Sequence, residues 1–100
     1  MRMLMEVELP LEPFSAAVRD GSVQAKMQKI MEAIKPEAAY FYERNGKRAG
    51  TLVVNLDSPS GIPALVEPWF LTFNASVQFR VVMTPEDLRS ANLGAIGQQW

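Results

Sequence analysis

The dipeptide Asn45-Gly46 stands between two runs that alternate apolar and polar residues, a pattern that a β-hairpin satisfies and little else does. Both central positions of a type I′ turn need positive φ, and Asn and Gly accept it at the lowest cost. The run before the turn, Ala38 to Arg44, sets Ala39, Phe41 and Glu43 on one side and Ala38, Tyr40, Tyr42 and Arg44 on the other. The run after it, from Lys47 to Leu56, alternates Leu52, Val54 and Leu56 with Thr51, Val53 and Asn55. Two antiparallel strands are thus fixed in the middle of the chain, and the flanking segments must pack on them.

Each flank supplies one helix and one strand. Met1 to Leu9 alternates with Met3, Met5, Val7 and Leu9 on one face and Arg2, Leu4, Glu6 and Glu8 on the other, the period of a strand. Pro10 ends it, Pro10-Leu11-Glu12-Pro13 reads as an extended connection, and Phe14 to Arg19 as a short helical turn before Asp20-Gly21. Ser22 stands where an N-cap belongs, and Val23, Met27, Ile30, Met31 and Ile34 then recur at helical spacing. Pro36 stops this helix, because the residue before a proline avoids the helical region.

After the hairpin, Asp57-Ser58-Pro59-Ser60-Gly61 is a loop, and a second helix begins near Ile62 or Pro63. Ile62, Leu65, Val66, Trp69 and Phe70 share one helical face, and Pro68, which removes a backbone donor, is expected to free the carbonyl of Ala64 or kink the last turn. Asn74 to Thr84 reads as the last strand, with Val77, Phe79, Val81 and Met83 in an apolar row and Ser76, Gln78, Arg80 and Val82 in a mixed one. Thr84-Pro85-Glu86-Asp87 has the form of an N-cap, a proline at the first helical position and two acids in the first turn of a short helix to Ala91. Residues 1–91 therefore read as one domain, and residues 92–100 as a glycine-containing tail ending in Trp100.

The order strand, helix, strand, strand, helix, strand closes most simply as a four-stranded antiparallel sheet, spatial order 4-1-3-2, with both helices on one face. This is the ferredoxin-like arrangement, an α+β fold. The row Met3, Met5, Val7, Val77, Phe79, Val81 and Met83 is expected beneath the helices, against Met27, Ile30, Met31, Ile34, Leu65, Val66 and Trp69. The opposite face mixes Leu4, Val82, Tyr40 and Tyr42 with Glu6, Gln78 and Arg80. That much bulk favours a covering partner, and the same face of a second copy is the simplest one.

Four pieces of the chain, Lys35-Pro36-Glu37, Glu67-Pro68-Trp69-Phe70, Phe73-Asn74-Ala75 and Met83-Thr84-Pro85-Glu86-Asp87-Leu88, resemble a family of small uncharacterised bacterial proteins of the dimeric α/β-barrel superfamily. The resemblance covers essentially the whole chain. It implies two ferredoxin-like sheets packed face to face in a homodimer. The superfamily includes cofactor-free monooxygenases, muconolactone isomerase, haem-degrading enzymes, chlorite dismutases and ligand-sensing domains, so it implies a fold and a dimer rather than a reaction.

Composition narrows the chemistry. The chain has no histidine and no cysteine. Disulfides, thiolate nucleophiles, zinc–thiolate sites, histidine-bound metal or haem iron, and Ser-His or Cys-His catalysis have no residues to use within it. A cofactor-free, cytoplasmic protein is the expectation. The net charge of −1 gives no footprint for nucleic acid or an anionic membrane. The strand order also matches RNA-recognition domains, but the third strand lacks their glycine–aromatic signature. No apolar run approaches the roughly 20 residues that cross a bilayer, and no signal peptide is expected at the amino end. No P-loop, dinucleotide fingerprint or nucleophile elbow is present, and Asp57, Glu86 and Asp87 make no metal-ligand spacing.

The candidate ligand residues are Tyr40, Trp69, Phe73, Asn74 and Arg80. Trp69, Phe70 and Phe73 can wall an apolar pocket between the second helix and the sheet, although such a stripe ordinarily forms core. Buried, Trp69 needs an acceptor for its indole N–H. Asn74 can orient a carbonyl or simply bond local backbone. Tyr40 and Tyr42 can stack on a ligand, donate to an oxyanion or line a dimer interface. Glu6 and Arg80 belong to neighbouring strands on the mixed face and are expected to pair, as a structural ion pair or an acid–base element. Arg44, Lys47 and Arg48 gather near the hairpin, where a solvated turn or an acidic ligand explains them. Two functions follow. One is binding of a small hydrophobic ligand, or an accessory role, by a homodimer. The other is a cofactor-free monooxygenase- or isomerase-like enzyme in which Tyr40, Trp69, Asn74 and Arg80 position an aromatic or lactone substrate.

Overall fold

The computed structural model describes residues 1–100. Its elements are β1 (Arg2–Leu9), α1 (Leu11–Asp20), α2 (Val23–Ile34), β2 (Ala38–Arg44), β3 (Lys47–Asn55), α3 (Ile62–Phe73), β4 (Ser76–Val81), α4 (Pro85–Ser90) and α5 (Leu93–Gly97). The strands form one sheet in the order β2-β3-β1-β4, with every neighbouring pair antiparallel. This is the expected ferredoxin-like order, and the hairpin turns at Asn45 and Gly46, whose φ values are 55° and 73°.

The core forms where period-two and helical stripes meet. Met3, Met5, Val7 and Leu9 of β1 and Leu52 and Val54 of β3 pack against Ala17 of α1, Ile30 and Ile34 of α2, and Leu65, Trp69 and Phe73 of α3. Full burial of side chains of this size contributes about 1.5–3 kcal/mol each. The apolar row is less uniform than its pattern suggests. Val77 and Phe79 are partly buried, whereas Val81 and Met83 are each 66% exposed, because β4 ends at Val81 and the helices do not reach that far.

Three local readings are corrected. The turn expected over Phe14 to Arg19 belongs to a longer helix that adds Phe14 and Ala17 to the core, and Phe14 stacks on Phe73 with ring centroids 4.8 Å apart. Glu12 keeps the expected extended backbone, so the regular part of α1 follows Pro13. Ser22 precedes α2 but makes no side-chain capping bond; its own N–H donates to Asp20 instead. Lastly, α3 continues past Phe70 to Phe73, and Asn74 is its left-handed C-cap with φ 55°, so β4 starts only at Ser76.

Every residue from Pro85 to Trp100 is exposed, so α4 and α5 stand off the sheet. The molecule measures 60 × 28 × 19 Å with a radius of gyration of 17.0 Å. A compact chain of this length has a radius near roughly 13 Å. The excess length is an arm beyond the sandwich of sheet and helices. No helix is long and apolar enough to cross a membrane.

Candidate functional site

Even-numbered residues of β1 point away from the helices, and so do their partners in register. Leu4 lies opposite Val53 and Arg80, Glu6 opposite Thr51 and Gln78, while Tyr40 and Tyr42 lie opposite Thr51 and Ala49. One face of the sheet thus carries Tyr40, Tyr42, Leu4, Val53, Glu6, Arg44 and Arg80. No helix covers it.

Glu6 is the centre of that face. Arg80 Nε donates to it at 2.9 Å from β4, and Arg44 Nη1 at 3.3 Å from β2. The carboxylate side chain is only 12% exposed, against 62% for Arg80 and 42% for Arg44. The hydrogen bond from Arg80 does most to hold the Glu6 carboxyl below its ordinary value. Burial opposes that shift, and Arg44 reinforces it. The expected Glu6–Arg80 pair is therefore present, and sequence reasoning missed its third member. Arg44 is close in sequence to the basic residues of the hairpin, but its alternation with Tyr40 and Tyr42 places it on this face. Around the triad, the Tyr42 and Thr51 hydroxyls bond each other, and Tyr40 is 69% exposed.

Arg48 departs from Arg44 by facing the helices. It donates to Ser15 Oγ at 3.0 Å and lies over the Phe14 ring, tying α1 to β3. The three basic residues of the hairpin region therefore form no common site.

The five candidate ligand residues do not converge. Trp69 and Phe73 are fully buried in the helix-side core, Asn74 is exposed at the end of α3, and Tyr40 and Arg80 lie on the far face of the sheet. β3 and β1 separate Tyr40 from Arg80. Trp69 and Phe73 fill the interior rather than wall a pocket, and Phe70 turns outward at 40% exposure. The Trp69 indole N–H is buried without a hydrogen-bond partner, contrary to the usual satisfaction of such groups.

Two recesses remain. One, of about 440 Å³, lies between the start of α3 and the sheet, lined by Met1, Met3, Leu56 and Ile62 with Asp57, Ser58 and Pro59 at its rim. It lies at the opposite end of this helix from Trp69 and Phe73, neither of which lines it. The other, of about 350 Å³, is a groove between α2 and α3 along Ile30, Ala33, Pro68 and Leu71, flanked by Lys29 and Glu67. No group of three or more acidic side chains is placed to hold a metal ion.

No family model matches the chain, and no curated protein matches it. Among solved structures, the chain is similar to the de novo designed protein Ferredog-Diesel, at 8% identity and a TM-score of 0.46, over 81% of this chain and 85% of that one.

Proposed function

We propose that this protein acts as a homodimer of the dimeric α/β-barrel type, sheet face against sheet face, and that each subunit holds a small apolar molecule in the recess between the start of α3 and β1. The open face carries the dimer reading. It offers Tyr40, Tyr42, Leu4 and Val53 around a carboxylate already largely withdrawn from water, and no part of the chain covers it. Aromatic and arginine side chains on an otherwise moderately apolar surface are the usual composition of an interface. The resemblance through Glu67-Pro68-Trp69-Phe70 and Met83-Thr84-Pro85-Glu86-Asp87-Leu88 supports the same assembly. The ligand reading rests on the recess at Met3, Leu56 and Ile62, whose apolar walls and polar rim suit a small hydrophobic molecule. No two of the polar candidates Tyr40, Asn74 and Arg80 meet at either recess, so binding is favoured over catalysis.

An anilinonaphthalene sulfonate probe tests the ligand half. Ile62→Trp fills the recess, whereas Leu71→Trp alters only the groove between α2 and α3. Probe affinity should fall about tenfold in Ile62→Trp, a loss of ~1.4 kcal/mol, and hold in Leu71→Trp. Binding that ignores Ile62→Trp, or no binding at all, would remove the recess from the account.

A further inference from the structure

Beyond Val81 the chain leaves the sheet and never returns to it. Thr84 and Asp87 close a reciprocal capping box around the first turn of α4, with bonds of 3.1 and 2.9 Å, so this helix has a well-defined start. Yet α4 and α5 have six and five residues, and helices that short are marginal in water without packing. None of their apolar side chains is buried: Leu88 is 44% exposed, Leu93 59%, Ile96 47% and Trp100 99%. A succession of exposed apolar residues on an ordered arm marks a surface made to be covered.

The registers locate the root of the arm. Val81 pairs with Met3, Met3 pairs with Val54, and the adjacent Val53 pairs with Ala38. The exit of β4 and the start of β2 therefore share one end of the sheet, on its two opposite edges. In a face-to-face pair whose twofold axis runs along the strands, β4 of one subunit lies over β2 of the other, and the matching ends stay together. The arm then emerges beside the partner's Ala38 and Tyr40.

We infer that the C-terminal arm, Met83 to Trp100, crosses to a second copy of this chain and packs Leu88, Leu93 and Ile96 against the start of its β2 around Tyr40. The exchange is reciprocal, so each copy covers an edge of the other. It rests on the sheet-to-sheet dimer proposed above and adds the element that fixes its orientation.

The absence of cysteine makes the test clean. Full-length chains carrying Met83→Cys and full-length chains carrying Ala38→Cys are mixed, allowed to exchange subunits and treated with a short bismaleimide, while light scattering reports the mass. Met83 is well exposed and Ala38→Cys is a small change on an edge strand, so neither substitution threatens the core. Leu93→Asp is measured alongside by dilution. The expected result is a two-chain product from the mixture and a dimer dissociation constant raised about tenfold in Leu93→Asp. A dimer that gives no mixed product, or that ignores Leu93→Asp, overturns the arm exchange and leaves the paired sheets standing. A chain that stays monomeric overturns both.

Discussion

Glu6 stands between two arginines drawn from strands on either side of the central pair, and its titration should be visible in stability. Its carboxyl is held below the ordinary 4.5, first by the hydrogen bond from Arg80 and then by Arg44, against the cost of burial. A depressed carboxyl contributes stability that is fully present above 4.5 and is lost as pH falls through the lowered value. Urea unfolding across that acid range should therefore show a steeper loss in the native protein than in Glu6→Gln. At neutral pH, in the single chain, the substitution should cost only about 0.5–1 kcal/mol, because both arginines are substantially exposed there. Trp69 makes the opposite case, a large buried side chain with an unmet donor. Trp69→Ala should cost about 3–5 kcal/mol through the cavity it leaves. Trp69→Phe should cost well under half of that, since it also removes a donor whose burial without a partner is unfavourable by about 1–3 kcal/mol. A loss in Trp69→Phe as large as that in Trp69→Ala would contradict this expectation.

Pairing of β2 with β3 depends on a close fit at Gly50. A Cβ there would lie 2.9 Å from Phe41 Cδ1 and 3.3 Å from the Tyr40 carbonyl oxygen. The ring thus rests on the space that the glycine leaves. Gly50→Val should cost about 1–3 kcal/mol by crowding the strand pair. Calorimetry should show a smaller penalty in a Phe41→Ala background, where the ring no longer has to move. The hairpin itself was legible because Asn45-Gly46 and strict alternation fix a turn and a parity together. The same parity, read through to the end, already separates Tyr40 and Arg80 from Trp69 and Phe73, and so dissolves the five-residue constellation. The end of α3 was harder to read. The stripe from Ile62 points to Phe70 as its last member, but the helix runs on to Phe73 and buries that ring in place of Phe70. Both phenylalanines fit a helical stripe, and only the orientation of the whole helix on the sheet chooses between them. Asn74 looked like the start of a strand because nothing local distinguishes it from a left-handed cap. Arg44 reaches Glu6 across β3, a contact set by sheet register and side-chain length rather than by neighbours in the chain.

At the scale of the molecule, a ferredoxin-like sheet covered on one side by three helices leaves its other side to be explained. The uncovered face, the arm that stands away from the body and the 60 Å long axis are the three features that the proposed dimer addresses. A second copy would account for them together, since an isologous pair covers both sheets with one operation. The most direct test is the mass of the full-length protein by light scattering over a dilution series at micromolar concentration and below. The expected value is twice the chain mass of 11.2 kDa, falling toward a single chain in a Tyr40→Glu variant, which sets a charge on the face that should be buried. A native protein that remains a soluble monomer across the whole series would contradict the paired-sheet account.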